Sequence, residues 1–396
     1  MSLQAGIPTI GNITPFLNHL IATIIKKVLY VAILMMPGKT IRLEDMREGM
    51  YRNQMVVYGD HSRQPRLQPG VRRKKRPVVA IPLRIRPFRK IDYTHGAHVV
   101  KTYEGDNIKV LILEDTHTMD FKCRAKSLAV HQFVIQQIDS TDKLVDLYLE
   151  VPYISKNQKV QTIGASYMSA MQMSLYDCFR SDTKQHCSKD NLRAHYVDKR
   201  SSLPPTLHSL LSVLREVHYG YDVSRKRVRA LDQKELERIF TDNTSFIMTL
   251  ANIFDGDLEL QKQMDNLDDD IDQAIYNWVH GMITKPLDID YNALLWPKVK
   301  KVLDNIDRGM YVKSDFEPVY KHFVASTSIL MDAYAAARMF RNYSTAPSAT
   351  NIIYFAGGYH TRRLEELLKQ LGFAMSFSKN GLHGCVNIKK LHQPVF

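Results

Sequence analysis

Ile108-Lys109-Val110-Leu111-Ile112-Leu113 runs directly into Glu114-Asp115-Thr116-His117. A short, nearly unbroken apolar run of this kind fits a strand buried on both faces, as in a parallel sheet. Moving outward, Val130, Phe133, Val134 and Ile138 recur at helical spacing. Leu144-Val145-Asp146-Leu147-Tyr148-Leu149-Glu150-Val151 then reads as a second strand, stopped by Pro152. Strand, helix and strand over about forty residues make a βαβ unit, which predicts a parallel pair joined by a right-handed crossover. A third strand is predicted over Leu192–Val197, entering Asp198, and a fourth over Asn351–Ala356, followed by the Gly357-Gly358 turn. Behind that turn Leu364, Leu367, Leu368 and Leu371 fall at i, i+3, i+4 and i+7, a helix that Gly372 should end. From Pro204 to about Asn342 the apolar pattern is mostly helical. The expected fold is α/β: a mostly parallel sheet flanked by helices, with a helical insertion and an N-terminal basic extension.

The predicted organisation is an N-terminal extension over residues 1–60, a basic proline-rich arm over 61–100, and an α/β domain over 101–396 with its insertion at about 204–342. The arm runs from Arg63 and Arg66 through Arg72, Arg73, Lys74, Lys75 and Arg76 to Arg84, Arg86, Arg89 and Lys90, punctuated by Pro65, Pro69, Pro77, Pro82 and Pro87. Those prolines oppose a continuous helix and favour an exposed, extended chain. With a net charge of +13, polyanions are the expected partners: nucleic acid or an acidic protein, held through residues 63–90 mainly by charge. Few aromatics interleave, so stacking on single-stranded bases is not indicated.

The apolar stretch from Pro15 to Met36 carries Lys26 and Lys27 near its centre. A lysine there costs roughly 2.5–3.5 kcal/mol on insertion scales, so a packed element is expected and no transmembrane span. Four cysteines are too few for a disulfide scaffold in 396 residues, which predicts free thiols in a reducing compartment. Cys178, His186 and Cys187, joined by His383 and Cys385, offer zinc-ligand types without the short Cys-x-x-Cys spacing. The acidic cluster Asp265, Asp268, Asp269, Asp270 and Asp272 does not match a calcium loop and reads as a solvated helical face.

Chemistry gathers at the predicted strand ends. Open parallel sheets bind ligands outside the carboxyl ends of their strands. The first strand delivers Asp115 and His117 there, the second Glu150, the third Asp198 with Arg200 beyond it, and the fourth His360 after two glycines. Carboxylates and imidazoles at one rim suit two kinds of work. They can ligate a divalent metal through Asp115, His117, Glu150, Asp198 and His360, or share general acid–base catalysis among His117, His360, Glu150 and Asp115. Glu150 also has a plainer use, pairing with Arg200 or Arg193. No phosphate-cradling Gly-x-x-x-x-Gly-Lys loop, His-Glu-x-x-His helix or Gly-x-Ser-x-Gly elbow is present.

Asp115-Thr116-His117 after a buried strand resembles the Gly-Glu-x-His motif of the erythromycin esterase/ChaN-like and Tiki/TraB superfamily. Gly357-Gly358-Tyr359-His360 resembles its C-terminal Gly-x-x-His motif. Glu150 falls where that superfamily ends its second strand in glutamate, and Asp198 resembles a later strand-end aspartate. The likeness is nearest to uncharacterised homologues encoded by large nucleocytoplasmic DNA viruses, through Val145–Tyr153, Leu192–Arg200, Met331–Arg341 and Ile352–His360. It covers roughly residues 105–375 and leaves out the extension and arm. Members include hydrolases, metal-dependent proteases and haem-binding proteins, so the resemblance implies a fold more firmly than a substrate. Two departures stand out. Glu114 occupies the motif's glycine position, and Asp115 is shorter than glutamate by one methylene, about 1.5 Å. A displacement on that scale can cost on the order of a hundredfold in rate, so the resemblance implies an altered or inactive site.

Two expectations follow. One is a hydrolase of peptide or ester bonds with a divalent metal ion as cofactor. The other is a non-enzymatic virion or scaffold protein whose basic arm contacts nucleic acid, membrane or capsid partners. Either is expected to be intracellular, in the host cytoplasm or packaged in a virion.

Overall fold

The computed structural model describes residues 87–115, 123, 126–152, 166–178, 187–218, 225–241, 243–284, 295–310, 312–343, 347–382 and 384–396. Every described residue belongs to one compact unit, Ala80–Phe396. The extension, most of the basic arm, the Pro15–Met36 stretch, His117, His186 and His383 lie outside the described residues.

A six-stranded sheet organises the unit. Its strands are β2 (Ala97–Gly105), β3 (Ile108–Asp115), β5 (Val145–Pro152), β6 (Leu192–Asp198), β7 (Asn351–Gly357) and β8 (Ala374–Asn380), in the order β6-β5-β7-β3-β2-β8. β6, β5, β7 and β3 are parallel neighbours, and only β2 runs against the rest. The expected mostly parallel sheet is present. One detail differs: β3 and β5 are parallel but not adjacent, because β7 lies between them and pairs with both.

β2 and β3 form a hairpin in which Gly105 faces Ile108 and Asp106 and Asn107 both take positive φ, 45° and 64°. That conformation matches the right-handed twist of paired strands, and Asp and Asn tolerate it. A second, three-stranded sheet, β4-β1-β9, joins β1 (Tyr93–His95), β4 (Ser127–Ala129) and β9 (Cys385–Asn387). β1 and β2 both begin before residue 101, so the folded part reaches into the segment expected to be arm.

Helices cover both faces of the large sheet. α1 (Val130–Asp139) and α2 (Tyr167–Ser174) bury Val130, Phe133, Val134, Met168 and Met171 against Leu111, Leu113, Leu147, Leu149, Ile353 and Phe355. The opposite face, with Val110, Ile112, Tyr148, Ile352 and Tyr354, packs against the insertion. Among the described residues the insertion contains α3 (Pro205–His218), α4 (Arg225–Arg229), α5 (Gln233–Phe240), α6 (Asn243–Gly256), α7 (Leu258–Met264), α8 (Asp269–Thr284), α9 (Leu295–Arg308), α10 (Lys313–Thr327) and α11 (Ile329–Phe340). α12 (Gly358–Gln370) lies on the same face through Leu364, Leu367 and Leu368, and Gly372 beyond it adopts φ +81°. Alternation along each strand supplies the two apolar faces. The acidic cluster sits at the start of α8 with Asp265, Asp268, Asp269 and Asp270 exposed, where carboxylates favour the helix N-terminus.

The cysteines are not free thiols. Cys123 bonds to Cys385 and Cys178 to Cys187, so all four are oxidised. Bonds between sequence positions 262 residues apart cannot be read from spacing. The same pairing removes the thiolates that the zinc arrangement required. No helix among the described residues is long and apolar enough to cross a membrane.

Candidate functional site

The chain leaves β3 and β5 toward the α1/α2 face and leaves β7 toward α12 on the other face. β7 is therefore the topological switch, and the crevices beside its carboxyl end are where a doubly wound fold places its ligand. Glu150 from β5 and Glu114 from β3 flank that end. Glu114 faces Ala356 across the ladder, and Glu150 comes one position after the Leu149–Phe355 pair, so both share a row with Ala356 on the insertion face.

His360 is the centre of the site. Sitting in the first turn of α12, it is 6% exposed, and both ring nitrogens meet carboxylates. Nδ1–H donates to Asp332 Oδ1 at 2.5 Å, and Nε2 lies 3.3 Å from Glu150 Oε1. Burial by itself pushes the imidazolium pKa down. Glu150 and Asp332 outweigh that and hold it up at about 10. Burial likewise pushes Glu150 up, but His360, Arg200 and the Gly357 N–H, which donates to Oε2 at 2.7 Å, hold its carboxyl far below the usual range. At neutral pH the pair is imidazolium and carboxylate.

Both ends of this pair are anchored. Arg200 reaches Glu150 Oε1 at 3.5 Å and donates twice to Asp198, from Nε at 2.7 Å and Nη2 at 2.5 Å. Arg363 donates to Asp332 Oδ2 at 2.8 Å, to Ser328 Oγ at 2.9 Å and to the Ala325 carbonyl at 2.5 Å. The chain Asp198–Arg200–Glu150–His360–Asp332–Arg363 alternates in sign, three negative and three positive. A buried network that balances its charge avoids the penalty of an unpaired ion.

Of the sequence-predicted residues, Glu150, Asp198 and His360 come together, and Arg200 joins them. Asp115 does not. Alternation along β3 turns it to the other face, beside Leu111 and Leu113, where it is 5% exposed. Its neighbour Glu114 points to the Glu150 side. The Thr361 hydroxyl donates to Glu114 Oε2 at 3.3 Å, and a Cβ on Gly358 would lie 2.7 Å from Glu114 Oε1. Gly358 thus lets the backbone approach the carboxylate closely. Two residues of the candidate site were missed by the sequence reading. Glu114 was read as a departure, yet its parity with Ile112 and Val110 was visible. Asp332 is the lone carboxylate in the apolar run Ile329–Tyr334, a pattern that flags a buried charge needing a partner.

A resident divalent metal fits the described residues poorly. Glu150 Oε1 and His360 Nε2 are the converging donors, Asp198 is taken by Arg200, and Asp115 faces away. Among the described residues no group of three or more His, Cys, Asp or Glu is arranged to hold a metal ion. A phosphate at the start of α12 is also disfavoured, since Glu150 and Glu114 occupy the position where helix N-termini of this fold class receive anions.

A second buried ionic group lies near the other end of β5 and β6. Asp146 accepts from Arg193 Nε at 2.7 Å and Nη2 at 2.6 Å, and its Oδ1 is 2.6 Å from His195 Nε2. Arg338 Nε donates to His195 Nδ1 at 2.8 Å. An arginine only donates, so Nδ1 is the acceptor and His195 is neutral, with Nε2–H toward Asp146. Burial, the largest effect, lowers its pKa in agreement. This group fastens β5, β6 and α11 together and presents no free donor–acceptor pair.

Fold and site define a doubly wound α/β protein with a charge-balanced His–carboxylate centre at its switch strand. Comparison with models of known protein families, with curated proteins and with solved structures finds no match.

Proposed function

We propose that the carboxyl end of β7 is a hydrolytic site for an uncharged peptide or ester bond. Glu150 serves as the base, His360 as the acid, and Asp332 positions the imidazole. The observation that carries this reading is the Asp332–His360–Glu150 line at the switch strand, where two neighbouring groups are driven to opposite protonation states. Such a pair sets a proton acceptor beside a proton donor, and a substrate that parts them removes the mutual attraction holding each in its charged form, bringing both nearer the range in which acid–base groups work. A substrate carbonyl entering between Glu150 and His360 replaces their 3.3 Å contact. Glu150 takes a proton from water as the hydroxyl oxygen bonds to the carbonyl carbon. The carbon–nitrogen or carbon–oxygen bond then breaks, and the leaving atom takes the Nε2 proton of His360. Return of the proton from Glu150 to His360 closes the cycle. Arg200 faces the charge that develops on the carbonyl oxygen. The Glu114 and Glu150 carboxylates at α12 favour an uncharged scissile group over a phosphate ester, and the superfamily resemblance points to the same reaction class.

The test is turnover of a peptide and ester library by the full chain, with chelator and with added divalent metals, against His360→Gln, Glu150→Gln and His117→Ala. General acid–base groups contribute roughly a hundredfold to ten-thousandfold. A loss in that range for the first two variants supports the reading. Equal turnover by wild type and both ends it. Dependence on added metal together with sensitivity to His117→Ala would transfer the chemistry to a metal-assisted site.

A second reading is favoured by one observation about charge. Residues 1–90 hold 17 of the 54 basic and 4 of the 41 acidic side chains, a net of +13, and the remaining 306 residues hold 37 of each sign. The whole positive excess is thus confined to the extension and arm, as in a scaffold or virion protein that grips nucleic acid or another polyanion by one basic segment. Replacing Arg72, Arg73, Lys74, Lys75 and Arg76 by alanine in the full chain should flatten the salt dependence of polyanion binding. An unchanged slope refutes it.

A further inference from the structure

We propose that the Cys123–Cys385 disulfide is a dithiol-responsive latch. Its reduction releases the C-terminal segment from β9 onward and uncovers the apolar surface that this segment closes.

The latch spans the small sheet. β1 is the central strand, with β4 parallel on one side and β9 antiparallel on the other. Cys385 opens β9, and Cys123 lies just before β4, so the bond ties the two outer sides of the sheet across its middle. Cys123 Sγ lies 4.0 Å from the carbonyl oxygen of Thr94, the middle residue of β1. Each of the three strands is only three residues long. Strands that short do not persist on their own ladder bonds. Beyond the ladders the segment is held by a few hydrogen bonds and by its buried side chains. Gly96 N–H donates to the Gly384 carbonyl at 3.1 Å, Ile388 N–H to the Asp92 carbonyl at 2.9 Å, and Gln393 bridges Ile91 and Ile388.

The segment from Cys385 to Phe396 closes over apolar groups. Val386, Ile388, Leu391 and Val395 are buried in the same core as Ile91, Val130 and Val134. The segment is fixed to α1 through Val395 N–H, which donates to Gln137 Oε1 at 2.8 Å. Both cysteines of the bond are half-exposed, within reach of a small thiol. The second disulfide differs in kind. Cys178–Cys187 closes a sequence separation of nine between α2 and β6, the edge strand of the large sheet, and serves as an internal control.

The chemistry balances as thiol–disulfide exchange. A thiolate of an external dithiol attacks one sulfur and forms a mixed disulfide, releasing the other cysteine as a thiolate that takes a proton. The second thiol of the reagent then displaces the first cysteine and closes to a cyclic disulfide. Two electrons pass from the dithiol to the protein, leaving two protein thiols.

The test is amide hydrogen exchange on the full chain with and without dithiothreitol, bond states being assigned by thiol mass labelling. Removing a native cross-link weakens what it holds by roughly thirty- to a thousandfold in equilibrium terms. Peptides covering 91–95 and 385–396 should lose protection on that scale on reduction, while β3, β5 and β7 keep theirs. Cys123→Ala/Cys385→Ala should show the open pattern without reductant, and Cys178→Ala/Cys187→Ala should not. Binding of a hydrophobic dye should rise with the opening. Unchanged protection of 385–396 after complete reduction, or simultaneous loss across all strands, overturns the proposal. So does finding Cys123 and Cys385 as thiols in the untreated protein. Because none of these readouts uses turnover, the latch stands or falls apart from the hydrolytic reading.

Discussion

The charge state of His360 makes stability depend on pH in an unusual direction. Its ordinary value is 6.5, and in the fold it stands at about 10. A group whose folded value is raised contributes stability that is complete below the unfolded value and is lost as pH rises through the folded one. Between pH 7.5 and 9.0 the unfolded chain holds almost no proton on this ring while the folded one sheds only about a tenth, so each unit of pH removes nearly the full linkage slope. At about 1.4 kcal/mol per unit, the loss across that window is about 2 kcal/mol. Few other groups interfere. His95, His131, His195 and His322 are all lowered from their ordinary value and are neutral in both states above pH 7.5. Urea unfolding followed by the fluorescence of Trp278 and Trp296, both buried, measures the change. His360→Gln keeps a hydrogen-bonding side chain without the charge and should remove the slope. Equal slopes in wild type and variant over this window would show that His360 is not held as imidazolium, and the acid assigned to the site would go with it.

Three further outcomes are expected. Asp332→Asn leaves His360 and Arg363 facing a neutral group in a buried place, and breaking one partner of such a network should cost about 3–5 kcal/mol, read as a shift in the urea midpoint at constant slope. Gly96→Ala puts a Cβ 2.3 Å from the Tyr167 ring at a backbone φ of +92°; crowding plus the disfavoured conformation should cost about 2–4 kcal/mol, and a stability equal to wild type would contradict the packing of α2 on the β1–β2 junction. His322 has its pKa lowered to about 4, first by burial and then by Lys298. The unfolded chain therefore takes up the proton first, and stability should fall as pH drops from 6.5 toward 4, a fall that His322→Gln should reduce.

The parts of the fold legible in the sequence were those whose apolar run needs no context. β3, β5 and β7 are buried on both faces and read as strands at sight, and the leucine stripe with Gly372 set the end of α12. β2 was not legible, because Lys101, Thr102 and Glu104 interrupt it and it follows a basic stretch. Lys101 is nonetheless tied down by Glu365, whose two oxygens accept from Nζ at 2.7 Å. The position of β7 between β3 and β5 was beyond local pattern, since about two hundred residues separate it from either neighbour and only tertiary packing selects the slot. Asp332 carried a local signal, a lone carboxylate in an apolar helix, but its partner His360, 28 residues further on and beyond β7, is selected only by the packing of α11 beside α12. That Glu150, Asp198 and His360 lie together was legible because the carboxyl ends of parallel strands share one rim whatever their order.

Faces, unlike rims, depend on parity, and here the structure changes the meaning of the motif at the end of β3. Read by likeness, Asp115 is a shortened glutamate in the catalytic position and Glu114 an intruder. Read by alternation, Glu114 shares its row with Ala356 and Glu150, and Asp115 belongs to the α1/α2 face with Leu113. On this reading Glu114, a glutamate of full length one residue earlier, is the β3 carboxylate on the His360 side, and the length of Asp115 does not bear on the proposed centre. Glu114→Gln and Asp115→Asn separate these accounts. If alternation governs, Glu114→Gln alters the pH profile of turnover while Asp115→Asn affects only stability. The reverse result, with Asp115→Asn abolishing turnover in a folded protein and Glu114→Gln silent, would mean that the working rim is on the other face of β3.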